Sequence, residues 1–167
     1  MIRKLFYLFI FTFFFSGNPY LFGQQGKVDN TFNTFDDGTK GDGFNEPVRT
    51  LLLQSDGNLI VGGDYLSLNG FPVSYLTRLN PDGTIDESFN TGTGFNGKIY
   101  ASFLQDDGKI ILGGSFTSYN GISAGRIIRL NSDGSYDFTF NTTIGATTGI
   151  VYDIASQSDG KKIIVGS

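Results

Sequence analysis

The sequence predicts an all-β chain of repeated four-stranded antiparallel meanders, arranged as the blades of a β-propeller. Three observations carry this. One pattern recurs in register along the chain, each full copy holds two Asp-Gly turns between apolar runs, and glycine is abundant at 24 of 167 residues. Short apolar runs parted by glycine turns read as strands.

The repeat comes first. Gln54-Ser55-Asp56-Gly57-Asn58-Leu59-Ile60-Val61-Gly62-Gly63 returns 51 residues later as Gln105-Asp106-Asp107-Gly108-Lys109-Ile110-Ile111-Leu112-Gly113-Gly114, with six of ten positions identical. Gln157-Ser158-Asp159-Gly160 with Ile163-Ile164-Val165-Gly166 is a third copy, read with one extra residue, Lys161 or Lys162, in its turn. A second segment keeps the register. Arg78-Leu79-Asn80-Pro81-Asp82-Gly83 through Phe89-Asn90 matches Arg129-Leu130-Asn131-Ser132-Asp133-Gly134 through Phe140-Asn141. Asn69-Gly70 matches Asn120-Gly121, and Gly43-Phe44-Asn45 matches Gly94-Phe95-Asn96.

Each unit divides into strands. Residues 48–53, 99–104 and 151–155 are the first strand, and 59–63 and 110–114 the second. Asp-Gly between them predicts a hairpin with a type I′ turn. A longer loop carrying Asn-Gly leads to the third strand, 75–79 and 126–130. A second Asp-Gly turn leads to a short fourth strand near Ile85 and Tyr136. Hairpin turns argue against a β-helix, whose neighbouring strands run parallel. The Gly62-Gly63 and Gly113-Gly114 pairs predict close backbone approach on the inner strands.

The expected organisation is a signal peptide over 1–23, a tail with a partial repeat over 24–46, and units at 47–97, 98–149 and 150–167, the last truncated. Arg3 and Lys4 precede an apolar run at 5–15, 11 residues long, broken by Ser16-Gly17-Asn18-Pro19. That is too short to span a membrane and fits a secretory leader cleaved after Gly23. Two full units and a half cannot close a propeller, so the chain is expected to be a fragment. Residues 28–32 resemble a fourth strand and are expected to complete the last blade of a full ring.

Composition excludes several chemistries. There is no Cys and no His, hence no thiol nucleophile, no Ser-His-Asp triad and no imidazole-ligated metal. Losing the leader leaves 10 Lys+Arg against 16 Asp+Glu, a net of −6. An acidic chain without a basic cluster argues against nucleic acid and against an anionic membrane surface. No helix is expected beyond the leader.

The Gln54-Ser55-Asp56-Gly57, Gly62-Gly63, Arg78-Leu79-Asn80-Pro81-Asp82-Gly83 and Asp86 to Phe89-Asn90 elements resemble the delta-60 repeat. That family is a propeller repeat of unknown function in large exported bacterial proteins. The likeness covers about residues 26–167. It implies a secreted or surface-displayed protein with further repeats and, in some members, a C-terminal sorting domain. It implies no catalytic residue. Asn58 to Gly63 also looks loosely like a kelch blade, whose Trp is absent here.

Candidate sites follow from residue type. Asn80, Asp82 and Asp86, and Asn131, Asp133 and Asp137, offer closely spaced oxygens of the kind calcium takes. The same spacing suits hairpin turns in which Asn and Asp bond their own backbone. Asp36, Asp37 and Asp42 form a second acidic, Gly-rich cluster, read as a loop. Asp64, Asp86 and Glu87 are candidates for a glycosidase acid pair. Tyr65, Phe71, Tyr75, Phe116 and Tyr119 lie near the loop after the second strand, where they serve either as a ligand platform or as packing between blades. Gly92-Thr93-Gly94 lacks a following helix and is a linker. The expected function is a non-enzymatic exported scaffold or adhesion module that binds protein or glycan through its blade loops and needs no cofactor. An extracellular propeller glycoside hydrolase or lyase is the alternative, and a structural spacer the third.

Overall fold

A computed structural model of the chain describes residues 43–140 and 149–167. The expected leader, the strand expected at 28–32 and the Asp36, Asp37 and Asp42 cluster lie outside the described residues.

Every regular element among the described residues is a β-strand. Blade 1 holds β1 (Val48–Leu53), β2 (Leu59–Gly63), β3 (Ser67–Leu68), β4 (Phe71–Pro72) and β5 (Leu76–Leu79). Blade 2 repeats the order as β6 (Ile99–Leu104), β7 (Ile110–Gly114), β8 (Ser118–Tyr119), β9 (Ile122–Ser123) and β10 (Ile127–Leu130). Blade 3 is the hairpin of β11 (Val151–Ser156) and β12 (Lys162–Gly166). The sheets run β1-β2-β5 and β6-β7-β10, antiparallel throughout. The fourth strand is a single bridge in each blade, Leu79 to Ile85 and Leu130 to Tyr136. It is short because Asp86 and Asp137 then turn the chain: the amide N–H of Phe89 bonds the Asp86 carbonyl, and that of Phe140 the Asp137 carbonyl.

Turn chemistry corrects two expectations. The Asp-Gly turns are not type I′. The Gly57 N–H bonds the Gln54 carbonyl at 3.0 Å and the Gln54 N–H bonds the Asn58 carbonyl at 2.8 Å, with a positive φ at Gly57 of 89°. That is a type I turn closed by a glycine bulge. Proline at position 81 fits it, since its φ is fixed at a negative value. The Asp carboxylate completes the turn by accepting the amide two residues on, as Asp82 does from Thr84 at 3.0 Å. The type I′ turns are the Asn-Gly pairs, where both residues take positive φ (Asn69 49°, Gly70 78°; Asn120 50°, Gly121 74°). They close the small β3–β4 and β8–β9 hairpins inside what the sequence presented as a loop.

The third turn has no extra residue. Ser156 pairs Lys162 as Leu53 pairs Leu59, and Gln157 bonds Lys161 as Gln54 bonds Asn58. The Gln105 to Gln157 spacing is longer because of residues between 140 and 151, upstream of the hairpin.

The core lies between blades. Alternation puts Ile60 and Leu76 on one face of blade 1 and Val61 and Leu79 on the other. Ile60, Leu76 and Phe89 join Ile99, Leu112 and Ile128 of blade 2 in one cluster. Ala101, Ile111 and Ile127 of blade 2 meet Val151 and Ile154 of blade 3 in another. A polar lock recurs within blades 1 and 2, as Arg78 on Asp86 and Arg129 on Asp137, and in blade 1 it also crosses the joint. Arg78 Nε donates to Asp86 at 2.7 Å while its Nη1 reaches the Ser132 carbonyl in a turn of blade 2 at 2.8 Å. The Asn90 N–H bonds the Asp133 carbonyl of the same turn at 3.1 Å. Arg78 and Arg129 also lie 4.8 and 4.9 Å over the rings of Phe89 and Phe140. This explains why Arg and the Asp-x-Ser/Thr-Phe run recur together.

Candidate functional site: a row of bulged side chains

The two glycines of each pair do different work. A Cβ on Gly63 would lie 2.3 Å from the Pro47 carbonyl oxygen, and one on Gly114 would lie 2.0 Å from that of Lys98. The second glycine therefore lets the second strand lie against the start of the first. At that place each first strand is bulged. Val48 pairs Gly63 and Thr50 pairs Gly62, leaving Arg49 out of the ladder. Tyr100 is left out in β6 and Tyr152 in β11 by the same shift. A bulge re-aims its side chain.

The three bulged side chains form a row because β1, β6 and β11 lie side by side. The Arg49 guanidinium carbon is 6.0 Å from the Tyr100 ring centre, and the Tyr100 and Tyr152 rings are 5.6 Å apart with planes at 43°. Tyr152 is 51% exposed. Beneath the Arg49 end lies Asp64, which follows β2. Its carboxylate accepts Arg49 Nε at 3.2 Å, Arg49 Nη2 at 2.9 Å and Lys98 Nζ of blade 2 at 2.9 Å. The Asp64 side chain is 5% exposed, against 45% for Arg49 and 47% for Lys98. The Arg49 hydrogen bonds, ahead of those from Lys98, hold Asp64 below the usual carboxylate range despite its burial. It is a fixed anion under two half-exposed cations.

The chain has the architecture of a propeller repeat, and comparison agrees. A family model described as a domain of unknown function (DUF5122), β-propeller, matches residues 54–89 and 105–140. Two segments of the chain, one in each of the first two blades, are thus similar to a β-propeller repeat of unknown function. No curated protein and no solved structure matches it. The matched segments run from the Asp-Gly turn before β2 or β7 to the Phe that packs under Arg78 or Arg129. They stop short of the first strands that hold the row.

The sequence candidates fall elsewhere. Tyr65, Phe116 and Tyr119 are fully buried and cannot present a face to a ligand. Phe95 packs on both Phe116 and Tyr119 at 4.6 Å, and Phe44 on Tyr65 at 4.2 Å. Tyr75 is half-buried against the joint of blades 1 and 2. Phe71 alone is exposed, at 65%. These five do not form one surface; the packing reading holds for the buried ones.

The carboxylates are likewise engaged. Asp86 accepts the hydroxyl and amide of Ser88 and the guanidinium of Arg78, which lower its pKa in that order of effect against its burial. Asp137 is held lower still by Lys109, Thr139 and Arg129. Glu87 is exposed. In the calcium candidates, Asp82 and Asp133 bond their own turns through Thr84 and Ser135. Among the described residues no three acidic groups converge to hold a metal ion.

Proposed function

We propose that the chain is part of an exported, non-enzymatic binding module whose propeller repeats display a recognition surface for glycan or protein. The observation that carries this is the row of Arg49, Tyr100 and Tyr152, set out of three adjacent ladders by bulges at one repeat position. The scaffold repeats while the displayed side chain changes from Arg in blade 1 to Tyr in blades 2 and 3, and display from a rigid scaffold suits recognition. The short apolar leader behind Arg3 and Lys4 supports export.

The state of the carboxylates favours binding over hydrolysis. A glycosidase needs one carboxyl held protonated by a raised pKa. Asp64 and Asp86 are both lowered by their partners.

Screening the full chain on glycan and protein arrays tests the reading. A ligand should appear, and Tyr100→Ser with Tyr152→Ser should abolish its retention while the melting temperature changes little. Retention unchanged in that double variant would remove the row from the function. New reducing ends released from a bound polysaccharide would remove the non-enzymatic reading.

A further inference from the structure

We infer that the bulge row takes an acidic saccharide, a chain of sugar rings bearing carboxylate or sulfate. This rests on the reading that the row is a binding surface and names the ligand class for it.

Charge is the first argument. Arg49 and Lys98 converge on a single buried carboxylate, Asp64, with Nη2 and Nζ each 2.9 Å from the same Oδ2. Two cations meet one anion, so one positive charge is in excess. Asp64 takes Nε and Nη2 of Arg49 and one bond from the Lys98 ammonium. Arg49 Nη1 and the remaining Lys98 protons are not used by it. Both side chains are about half exposed, at 45% and 47%, so their outer faces meet solvent. This is a local positive end on a chain whose net charge is −4.

Shape is the second. Next to the positive end stand two aromatic rings in succession, Tyr100 and Tyr152, 5.6 Å apart. Aromatic faces carry partial negative charge and attract the polarised C–H face of a sugar ring, while a phenol hydroxyl bonds sugar hydroxyls. The row is one side chain wide and repeats from strand to strand. A saccharide presents like units in succession and can meet such a row ring by ring. Its acid group then reaches Lys98 and Arg49 through charge-assisted hydrogen bonds. The bulges hold the side chains on strands rather than on loops, so little ordering is needed on binding.

Titration calorimetry of the full chain with an oligogalacturonate and with the matching neutral galactose oligomer tests this. The acidic oligomer should bind more tightly, and the preference should shrink at high salt. Lys98→Gln keeps a donor for Asp64 and removes the charge. It should weaken the acidic oligomer roughly tenfold and leave the neutral one unchanged. Tyr152→Ser, at an exposed site, should weaken both oligomers about equally, by roughly fivefold. Equal binding of the two oligomers with no response to Lys98→Gln overturns the acidic assignment and leaves the binding reading standing. Binding of neither oligomer overturns the saccharide assignment, and the array result then decides the broader reading alone. Tighter binding of poly-glutamate than of oligogalacturonate overturns it in favour of an acidic peptide.

Discussion

Blade 2 and blade 3 offer the same strand positions to whatever follows them, and only blade 2 has them covered. Ile111 of β7 is 1% exposed beneath Val151, whereas Ile163, its equivalent in β12, is 46% exposed. The leading side shows the same contrast: Ile99 and Val151 are fully buried, and Val48 in their position is 42% exposed. Burial here belongs to the joint between blades and not to the strand. One residue also differs. Gly62 and Gly113 stand where a Cβ would press on Ile99 and Val151 of the next blade, at 2.9 and 2.4 Å, and β12 has Val165 instead. The first glycine of each pair is a socket for the blade that follows, and blade 3 has filled its socket.

Truncating the covered isoleucine should separate the two faces most. Ile111→Ala removes a side chain packed on both sides of a joint and should cost about 3 kcal/mol. Ile163→Ala should cost about 1 kcal/mol or less, since that side chain gives up less buried area. Equal losses in urea titrations of the two variants would show that the joint is not where stability resides.

Filling the socket comes next. Gly113→Val should cost about 2 kcal/mol by overpacking Val151. Adding Val151→Gly should restore part of that loss, because the volume is moved across the joint rather than added. A double-mutant cycle with no coupling would mean that the glycine serves the strand alone.

The strands of the repeat were legible in the sequence and the row was not. Alternation and turn residues placed β1, β2, β6 and β7 with their observed bounds. The third strands begin one residue later than expected, because Tyr75 and Arg126 take positive φ (65° and 68°) and stand outside the ladder. The Asn-Gly loop hid a hairpin, since two-residue strands have no alternation to read. Phe116 and Tyr119 look like loop aromatics because period-two patterning cannot say which side a neighbouring blade will cover, and Tyr65 because the small β3–β4 hairpin that buries it within its own blade has no alternation to read. Arg49, Tyr100 and Tyr152 are hidden because the bulge that sets them apart leaves no mark in the alternation, and Arg in blade 1 breaks the likeness of the two tyrosines. The signal was there in another form: a variable residue opposite an invariant glycine, Gly63, Gly114 and Gly166.

Acid should act on the polar locks by a smaller amount. Lys109, Thr139 and Arg129 hold the folded-state pKa of Asp137 below its unfolded value. The stabilisation is thus complete above about pH 4, the ordinary carboxylate value, and is lost as pH falls from there toward the depressed one. Asp137→Asn should cost about 1.5 kcal/mol at neutral pH. It should also flatten the fall in melting temperature below about pH 4. An unchanged acid limb in that variant would assign the loss to other carboxylates.

The smallest effect tests the comparison from its other side. If the first glycine exists for the following blade, then Val165→Gly relieves nothing, because no part of the described residues presses on that position. The variant should only lose the strand preference of valine and gain the backbone freedom of glycine, about 1 kcal/mol of destabilisation. The same valine that costs stability at position 113 should thus contribute it at 165. Stabilisation by Val165→Gly would mean that a close neighbour does cover blade 3, and that its first strand carries a side chain as large as Ile99 or Val151. The sign of that one change therefore reports whether the face beyond β12 is built to receive a blade of the same kind.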